Sequence, residues 1–185
     1  DLRMSRGLGD VYKRQDKNGQ EMHAATKEGL LAVQNAYKDI NNQVINGAPE
    51  GMNITTHVCR GNYHSTYASS GPYDSVADVL FGEENVSAYY LEFDDERSGG
   101  FAPLAKIGSG QKVVLGLITT KQPQLENKEA VIARIHEAAK YIPLDRLYLS
   151  PQCGFASCEI GNKLTEEEQW AKLALVKEIA EEVWG

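Results

Sequence analysis

The sequence predicts an α/β fold made of parallel (β/α) units of the TIM-barrel type, and three observations support this prediction. Four short apolar segments with strand character alternate with helical segments along the chain. These strands are almost wholly apolar, which is typical of strands covered on both faces. No glycine-rich phosphate loop follows a strand, because the GSG at 108–110 precedes its strand, and this weakens a dinucleotide-binding interpretation. A complete (β/α)8 barrel needs about 250 residues, so four units amount to half of one.

The first half of the chain is predicted to contain two helices and two strands. Apolar residues recur at helical spacing from about residue 24 to Val44, and Asn46-Gly47 followed by Pro49 is a typical helix end. The next elements are predicted as a strand at 52–58, a short helix at 74–81 and a strand at 86–93.

The second half repeats this alternation. Its clearest strand is KVVLGLI at 112–118, which follows a short helix predicted at 101–107. An amphipathic helix is predicted at 127–142 and a fourth strand at 144–149. The last helix is predicted at 165–184, because Thr165 as N-cap and Glu168 three residues later form a capping box.

Composition limits the classes of function and the compartment. The 185 residues are 42% hydrophobic, and 19 basic and 26 acidic side chains give a net charge of 19 − 26 = −7. This acidic balance argues against a nucleic-acid partner, which would normally meet a basic face. No apolar run approaches the roughly 18 residues of a membrane span. Three cysteines without an export signal predict reduced thiols in the cytoplasm.

One domain is predicted after an N-terminal leader. Residues 1–20 show neither helical nor strand periodicity, so we predict that they form an unstructured or non-native leader. Residues 21–185 then form the half barrel, which is long enough to bury a core without metal or disulfide cross-links. A metal site in this domain would therefore serve function rather than folding.

Candidate metal ligands lie at the end of the first predicted strand, which reads Thr56-His57-Val58-Cys59-Arg60. His57 and Cys59 are two residues apart, so both side chains point to one face of an extended chain. An imidazole and a thiolate are ligands suited to zinc. The alternative is a small buried cysteine beside a core or surface histidine, and the pair alone does not decide between them.

A carboxylate and a second thiol lie at other strand ends. Glu92 lies near the end of the apolar second strand, where a buried charge is costly unless it is paired or bound to a cation. Cys153 lies just past the fourth strand, and Gly154 lets the backbone pass close to a bound group. Cys158 is a weaker candidate, because it is equally typical of a half-buried loop thiol.

These strand ends are expected to meet, because the carboxyl ends of parallel strands share one rim of a barrel. The side chains concerned offer one nitrogen, two sulfurs and one oxygen, a number and type suited to tetrahedral zinc. They are His57, Cys59, Glu92 and Cys153.

Four segments of the chain together resemble a known family. HVCRGNYHSTYASSGPYD, YYLEFDDERSG, KVVLGLITTKQP and LDRLYLSPQCGFAS are similar, in this order and spacing, to the C-terminal catalytic half of the cobalamin-independent methionine synthases. They are closer still to the shorter single-barrel relatives of those enzymes. The resemblance covers nearly all of 24–184 and implies the C-terminal half of a (β/α)8 barrel, because the family's upstream strands are absent.

The resemblance also implies roles for particular residues. The family's zinc ligands correspond to His57, Cys59, Glu92 and Cys153. The pair that follows Glu92, Arg97 and Ser98, is expected to contribute to cofactor binding. Apart from the resemblance, Glu92 is expected to be the exchangeable ligand, because oxygen competes less well than a thiolate for zinc. The sequence also offers His64, Asp94 and Asp95 as candidate proton donors.

The family's reaction moves a methyl group from 5-methyltetrahydrofolate, in its polyglutamate form, to the thiol of homocysteine and gives methionine. The resemblance therefore implies a zinc-dependent methyltransferase with small-molecule substrates and neither a nucleic-acid nor a membrane partner. Open edges of a half barrel would also favour self-association.

Three alternatives stay open. A related zinc enzyme could alkylate a thiol with a different donor or acceptor, and a truncated chain could bind zinc without being active alone. A metal-free decarboxylase of related fold would need a cluster of basic residues, and only Arg60, Arg97 and Lys121 lie near the predicted rim.

Overall fold

The computed structural model describes residues 27–185 as a four-stranded sheet with flanking helices. The helices are α1 (Lys27–Asn46), α2 (Ala77–Glu83), α3 (Lys128–Ala138) and α4 (Glu166–Trp184). The strands are β1 (Thr55–Val58), β2 (Ala88–Glu92), β3 (Lys112–Ile118) and β4 (Leu147–Pro151). The leader predicted at 1–20 and the start of the first predicted helix lie outside the described residues.

The sheet is parallel throughout, and its strands follow the order β1-β2-β3-β4. Six of the seven residues of β3 are buried, as expected for a strand covered on both faces. Strands that are neighbours in the chain are therefore neighbours in the sheet, with helical segments between them. The predicted parallel α/β class is confirmed.

Three of the four strands differ from their predicted bounds. β2 is shorter at both ends, since it spans Ala88–Glu92 rather than 86–93, and the other two differ for local reasons. β1 begins at Thr55 rather than 52, because the Met52 amide closes a turn onto the Pro49 carbonyl. β4 begins at Leu147 rather than 144, because a 3₁₀ turn at Leu144–Arg146 precedes it. It continues to Pro151, whose missing N–H is tolerated at the end of an outer strand.

The helices follow the predictions with shorter bounds. The segment predicted at 74–81 divides into a 3₁₀ turn at Tyr73–Ser75 and α2, and the one predicted at 101–107 is a 3₁₀ helix at Ala102–Lys106. The helix predicted at 127–142 ends at Ala138. The capping box of α4 is confirmed, since Thr165 and Glu168 each accept a hydrogen bond from the other's backbone amide.

The hydrophobic core lies between the sheet and its helices and contains several aromatic rings. The Phe93 ring contacts those of Tyr73 and Phe101, with centroids 5.2 and 4.7 Å away. Full burial of a large apolar side chain contributes about 1.5–3 kcal/mol. Phe93 directly follows β2 and is completely buried, so this packing also fixes the end of the strand.

α1 has an apolar stripe that is exposed. Its members recur at helical spacing, and each is at least 36% exposed: Leu31, Val33, Tyr37, Ile40 and Val44. Within 27–185, no helix combines the length and the apolar character that crossing a membrane requires.

Candidate metal centre

Three metal-binding side chains meet at the C-terminal ends of β1 and β4. His57 lies in β1, Cys59 directly follows that strand, and Cys153 lies two residues beyond β4. Their ligand atoms all lie within 4.8 Å of one another, and Cys153 Sγ is 3.4 Å from His57 Nε2. Two ligands on one tetrahedral zinc, with bonds of about 2.0 and 2.3 Å, lie roughly 3.5 Å apart. The donor set and its spacing therefore fit zinc.

This meeting requires a curved sheet, because β1 and β4 are its two outer strands. A flat sheet would hold the first and fourth strands roughly 14 Å apart. A histidine and a cysteine that project to the same face do not span such a gap. The C-terminal ends of β1 and β4 therefore face each other across a concave surface, as strands of a barrel do.

The two thiols of this group interact directly. A hydrogen bond from Cys153, together with a weaker one from His57, lowers the pKa of Cys59 to about 4. Hydrogen bonding to Cys59, together with burial, raises the pKa of Cys153 well above the usual range of a thiol. These opposite shifts mean that, without a bound metal, the pair favours one thiolate and one thiol.

Glu92 lies beside this group and is completely buried. Its Oε1 is 2.9 Å from Arg97 Nη2 and 3.9 Å from Lys121 Nζ. Its Oε2 accepts hydrogen bonds from the Arg60 backbone amide at 2.8 Å and from Gln152 Nε2 at 3.0 Å. Glu92 is not one of the three residues whose ligand atoms meet within 4.8 Å. Its role as a zinc ligand stays a prediction.

A network of buried ion pairs continues from Glu92. The Asp94 side chain is only 1% exposed and lies 3.2 Å from Lys121 Nζ and 3.5 Å from Arg97 Nη2. The Arg97 guanidinium also stacks on the Tyr67 ring, 3.9 Å from its centroid. Two cations therefore compensate the Asp94 carboxylate, and its role as a proton donor stays a prediction.

Ser98 is fully buried next to this network. Among the described residues, neither the Ser98 hydroxyl nor Arg97 Nη1 has a hydrogen-bond partner. Buried polar groups are generally paired, so these two donors are free to bind another group. Their predicted part in cofactor binding is not tested by this geometry.

A cavity of about 700 Å³ adjoins the three candidate ligands, within the range typical of small-molecule sites. The tyrosines on its wall are among the most exposed aromatic residues, with Tyr63 63% and Tyr67 53% exposed. Cys158 lies on the same wall. The main lining residues are His57, Cys59, Tyr63, Tyr67, Tyr90 and Cys153.

Side-chain amides join the two loops that form much of this wall, one after β1 and one after β4. Asn62 Nδ2 donates to the Gly154 carbonyl at 2.8 Å and to Ser157 Oγ at 2.7 Å. Asn162 Nδ2 donates to Asn62 Oδ1 at 3.0 Å, and its Oδ1 accepts from the Ser65 amide at 3.1 Å. The loops that carry Tyr63 and Cys158 are thus held together.

The turn at His64-Ser65 has an unusual backbone. Both residues have positive φ, 45° and 65°, a left-handed conformation that residues other than glycine rarely adopt. His64 Nδ1 lies 3.1 Å from the Gly161 carbonyl, and His64 is absent from the described residues that line the cavity. Its predicted role as a proton donor therefore stays untested.

The sequence analysis did not predict the pair of buried, hydrogen-bonded polar side chains that lies beside Cys153. Gln152 and Thr120 are 2% and 0% exposed, and Thr120 Oγ1 lies 3.1 Å from Gln152 Oε1. One signal was available, since Gln152 is a polar residue between Pro151 at the strand end and a candidate ligand. An amide at that position requires partners inside the fold.

Residues 42–182 match the family described as cobalamin-independent synthase, catalytic domain. Two Bacillus subtilis proteins named as uncharacterized, YxjG and YxjH, are 52% and 53% identical to 77% and 80% of this chain. A methionine synthase from Pyrococcus horikoshii is 28% identical over 60% of the chain and 30% of its own length. The chain spans only about two fifths of YxjG and YxjH, 38% and 39%.

Two solved structures are similar to the chain. A Listeria monocytogenes protein assigned as a vitamin-B12-independent methionine synthase has a TM-score of 0.66 and 38% identity, over 96% of this chain and 46% of that one. A B12-independent methionine synthase from Shewanella sp. W3-18-1, in complex with selenomethionine, has a TM-score of 0.62 and 21% identity, over 84% and 50% of the two chains. Both likenesses confirm the predicted fold class.

Proposed function

The chain belongs to the catalytic-domain family of the cobalamin-independent synthases, and from this premise we propose that it is the zinc-binding part of a methyltransferase. The proposed reaction moves a methyl group from 5-methyltetrahydrofolate to the thiol of homocysteine and yields methionine. One observation carries the proposal. His57, Cys59 and Cys153 bring their ligand atoms within 4.8 Å of one another beside a cavity of small-molecule size.

The donor set suits activation of a thiol. Zinc held by these residues would keep an acceptor thiol ionised near neutral pH, where a free thiol with a pKa of about 8.5 is mostly protonated. Cys59 and Cys153 would contribute two anionic ligands and His57 a neutral one. Such a set leaves the acceptor sulfur richer in electrons than a set of neutral imidazoles would.

Glu92 is proposed as the fourth, exchangeable ligand. Oxygen competes less well than sulfur for zinc, so an incoming thiolate would displace the carboxylate. Arg97 and Lys121 lie 2.9 and 3.9 Å from Glu92 Oε1 and would receive the displaced charge. The observed position of Glu92, turned toward these cations, is compatible with that exchange.

The free donors near Glu92 are proposed to bind substrate or cofactor. Arg97 Nη1 and Ser98 Oγ have no partner within the described chain, and a carboxylate or a carbonyl oxygen could accept from them. Tyr63 and Tyr67, on the cavity wall, would exclude water from the reacting sulfur. His64 and Asp94 are retained as proposed proton donors for the departing amine.

A second candidate function is thiol alkylation with a different methyl donor or acceptor. One observation favours it. The Pyrococcus methionine synthase is only 28% identical over 60% of this chain, a distance at which enzymes of one family can differ in substrate. Both candidate functions would use the same metal site. They would differ in which methyl donor and which thiol the cavity binds.

The test measures zinc content and methyl transfer together. The protein should purify with about one zinc, Cys153→Ser should lose it, and Cys158→Ser should retain it as the matched control, since Cys158 lies outside the ligand group. Cobalamin-free methyl transfer from 5-methyltetrahydrofolate to homocysteine should follow the zinc content. Equal zinc in the wild type and Cys153→Ser would remove the metal site from the proposal.

The substrate assignment has its own outcomes. Zinc binding with turnover of another donor or thiol would favour the second candidate. Zinc binding without turnover on any thiol would reduce the chain to a zinc-binding piece that needs the remainder of a barrel.

A further inference from the structure

Gln152 occupies a position where both hydrogens of its side-chain amide face acidic groups. Its Nε2 lies 2.7 Å from Cys153 Sγ and 3.0 Å from Glu92 Oε2. The residue is only 2% exposed, so water does not compete for these contacts. A buried amide that touches a thiol ligand and a carboxylate can affect both at once.

Neighbouring residues fix which way this amide points. A carboxylate only accepts hydrogen bonds, so the nitrogen of Gln152 must face Glu92. On the other side, the Thr120 hydroxyl lies 3.1 Å from Gln152 Oε1 and donates to it. Asn162 Nδ2 in turn lies 3.4 Å from Thr120 Oγ1 and 2.6 Å from the Thr120 carbonyl. The Thr120 hydroxyl and the Gln152 amide therefore both donate in the direction of Cys153 and Glu92.

The backbone beneath Gln152 is held in place as well. Its amide donates to the Ile118 carbonyl at 2.8 Å. A Cβ on Gly116 of β3 would lie 2.8 Å from Gln152 Cα, closer than real Cβ atoms approach. The glycine therefore permits the close contact between β3 and the residue that precedes Cys153.

We propose that Gln152 is a positioning residue that donates one amide hydrogen to the Cys153 sulfur and the other to Glu92. It thereby sets how strongly Cys153 donates electrons to the metal and where Glu92 lies relative to it. This inference rests on the proposed zinc site, because it describes how that site is tuned. Hydrogen bonds to ligand sulfurs and carboxylates are a general means of adjusting metal sites.

The experiment replaces zinc with cobalt(II), whose thiolate-to-metal charge-transfer absorption reports directly on the ligand sulfurs. Gln152→Met keeps the length of the side chain and removes both donors. Loss of the hydrogen bond raises the energy of the sulfur lone pairs, so the band should move to longer wavelength with its intensity per cobalt retained. Zinc affinity, measured by chelator competition, should fall roughly 10- to 100-fold.

Gln111→Met is the matched control. Gln111 also makes three side-chain hydrogen bonds, to the Gly108 amide and to the Glu84 and Val86 carbonyls. It precedes β3, at the opposite end of the same sheet. This variant should lose a similar amount of stability while keeping the wild-type cobalt spectrum.

Thr120→Val is the second variant. It leaves Gln152 in place but removes the hydroxyl that orients it, so the band should shift in the same direction by less. If Gln152→Met does not fold, the shift in Thr120→Val supports the proposal and an unchanged spectrum overturns it.

The remaining outcomes separate this inference from the proposed function. A wild-type protein that shows no thiolate-to-cobalt band would refute the metal site itself. A normal wild-type band that is unchanged in Gln152→Met, or equally shifted in Gln111→Met, would overturn the role of Gln152 and leave the zinc site intact.

Discussion

The two ends of the sheet differ in their polar side chains, because a network of buried ion pairs occurs at the C-terminal end. At the N-terminal end, side chains donate to backbone carbonyls: Gln111 Nε2 bonds to the Glu84 and Val86 carbonyls at 2.7 and 2.9 Å. Arg146 Nε likewise bonds to the Gln111 carbonyl at 2.8 Å. At the C-terminal end, charged side chains pair with one another, as in the contacts of Glu92 with Arg97. Hydrogen bonds from side chains to backbone carbonyls hold strands in place, whereas ion pairs concentrate charged groups at one site.

The two ends of the sheet also differ in their unpaired buried polar atoms and in backbone strain. Within the described chain, the buried side-chain atoms that lack a hydrogen bond belong to Glu92, Arg97 and Ser98, all at the C-terminal end of β2. Among residues 27–185, the non-glycine residues with positive φ are His64 and Ser65, which belong to a loop at the same end of the sheet. Such costs persist where a site needs them. The candidate site therefore lies at the end of the sheet that carries these costs, which is the end where barrel enzymes generally have their active sites.

The first prediction compares two buried glutamates: Glu84, which precedes β2, and Glu92, which is its last residue. Glu92→Gln should lower the free energy of unfolding by about 2–4 kcal/mol, because it leaves Arg97 and Lys121 with fewer counter-charges in a buried setting. Glu84, at the other end, accepts a hydrogen bond from Asn41 at 2.7 Å, and burial raises its pKa. Glu84→Gln should therefore raise the free energy of unfolding by about 0.5 kcal/mol.

Urea unfolding at two pH values checks both variants. A carboxyl group with a raised pKa stabilises the fold fully only below its unfolded pKa, and this stabilisation is lost as the pH rises. The gain from Glu84→Gln should thus be larger at pH 7 than at pH 4. Equal losses in the two variants would mean that the two ends of the sheet do not differ in this way.

The parts of the fold that sequence patterns predict well are those set locally. The sequence predicts β3 with its observed bounds, because its apolar run ends in Thr119-Thr120. It predicts the start of α4 because the capping box of Thr165 and Glu168 needs only one turn of helix. The predicted start of β4 is wrong. The apolar residue Leu144, which follows Pro143, lies in a 3₁₀ turn and not in the strand.

The second prediction compares two glycines. A methyl group at Gly116 would meet Gln152 Cα and the Leu91 carbonyl, both at 2.8 Å. Gly116→Ala should therefore cost about 1–3 kcal/mol of stability and weaken zinc binding through the displaced Gln152. Gly110 lies just before β3, and a methyl group there would have no atom of the described chain within 4 Å. Gly110→Ala should change stability by less than about 1 kcal/mol.

Thermal unfolding and chelator competition check this pair of variants. The zinc measurement is the decisive one. Gly116 packs against Gln152, which precedes Cys153, whereas Gly110 does not. If Gly116→Ala unfolds earlier but binds zinc like the wild type, the strand can shift without moving the site.

The candidate site is predictable from the sequence only in part. The sequence indicates that His57, Cys59 and Cys153 share a rim, because parallel strands place their carboxyl ends together, and these three residues do meet. The partners of Glu92 are not predictable in the same way, because Arg97, Lys121 and Gln152 reach it from three different loops. Sequence spacing predicts which end of a strand a residue occupies, but not which side chain from another loop pairs with it.

The third prediction concerns the protons that thiols release when they bind zinc. Among the described residues, the cysteines all lie at the C-terminal end of the sheet. The pKa of Cys59 is lowered to about 4 by its hydrogen bond with Cys153, and the pKa of Cys153 is raised by the same contact and by burial. Near neutral pH, one thiol of the pair is then already ionised, whereas the other must lose its proton when zinc binds. Roughly one proton should leave per zinc.

Zinc affinity should therefore rise about tenfold for each pH unit between pH 7 and 8.5, a change of about 1.4 kcal/mol per unit. This window lies above the range in which imidazoles generally titrate, so the slope reports the thiols. Calorimetry in buffers of different ionisation enthalpy measures the protons directly. A slope near zero would mean that both thiols are ionised without zinc, and a slope near two would mean that neither is. Either result would contradict the shared proton that distinguishes this end of the sheet.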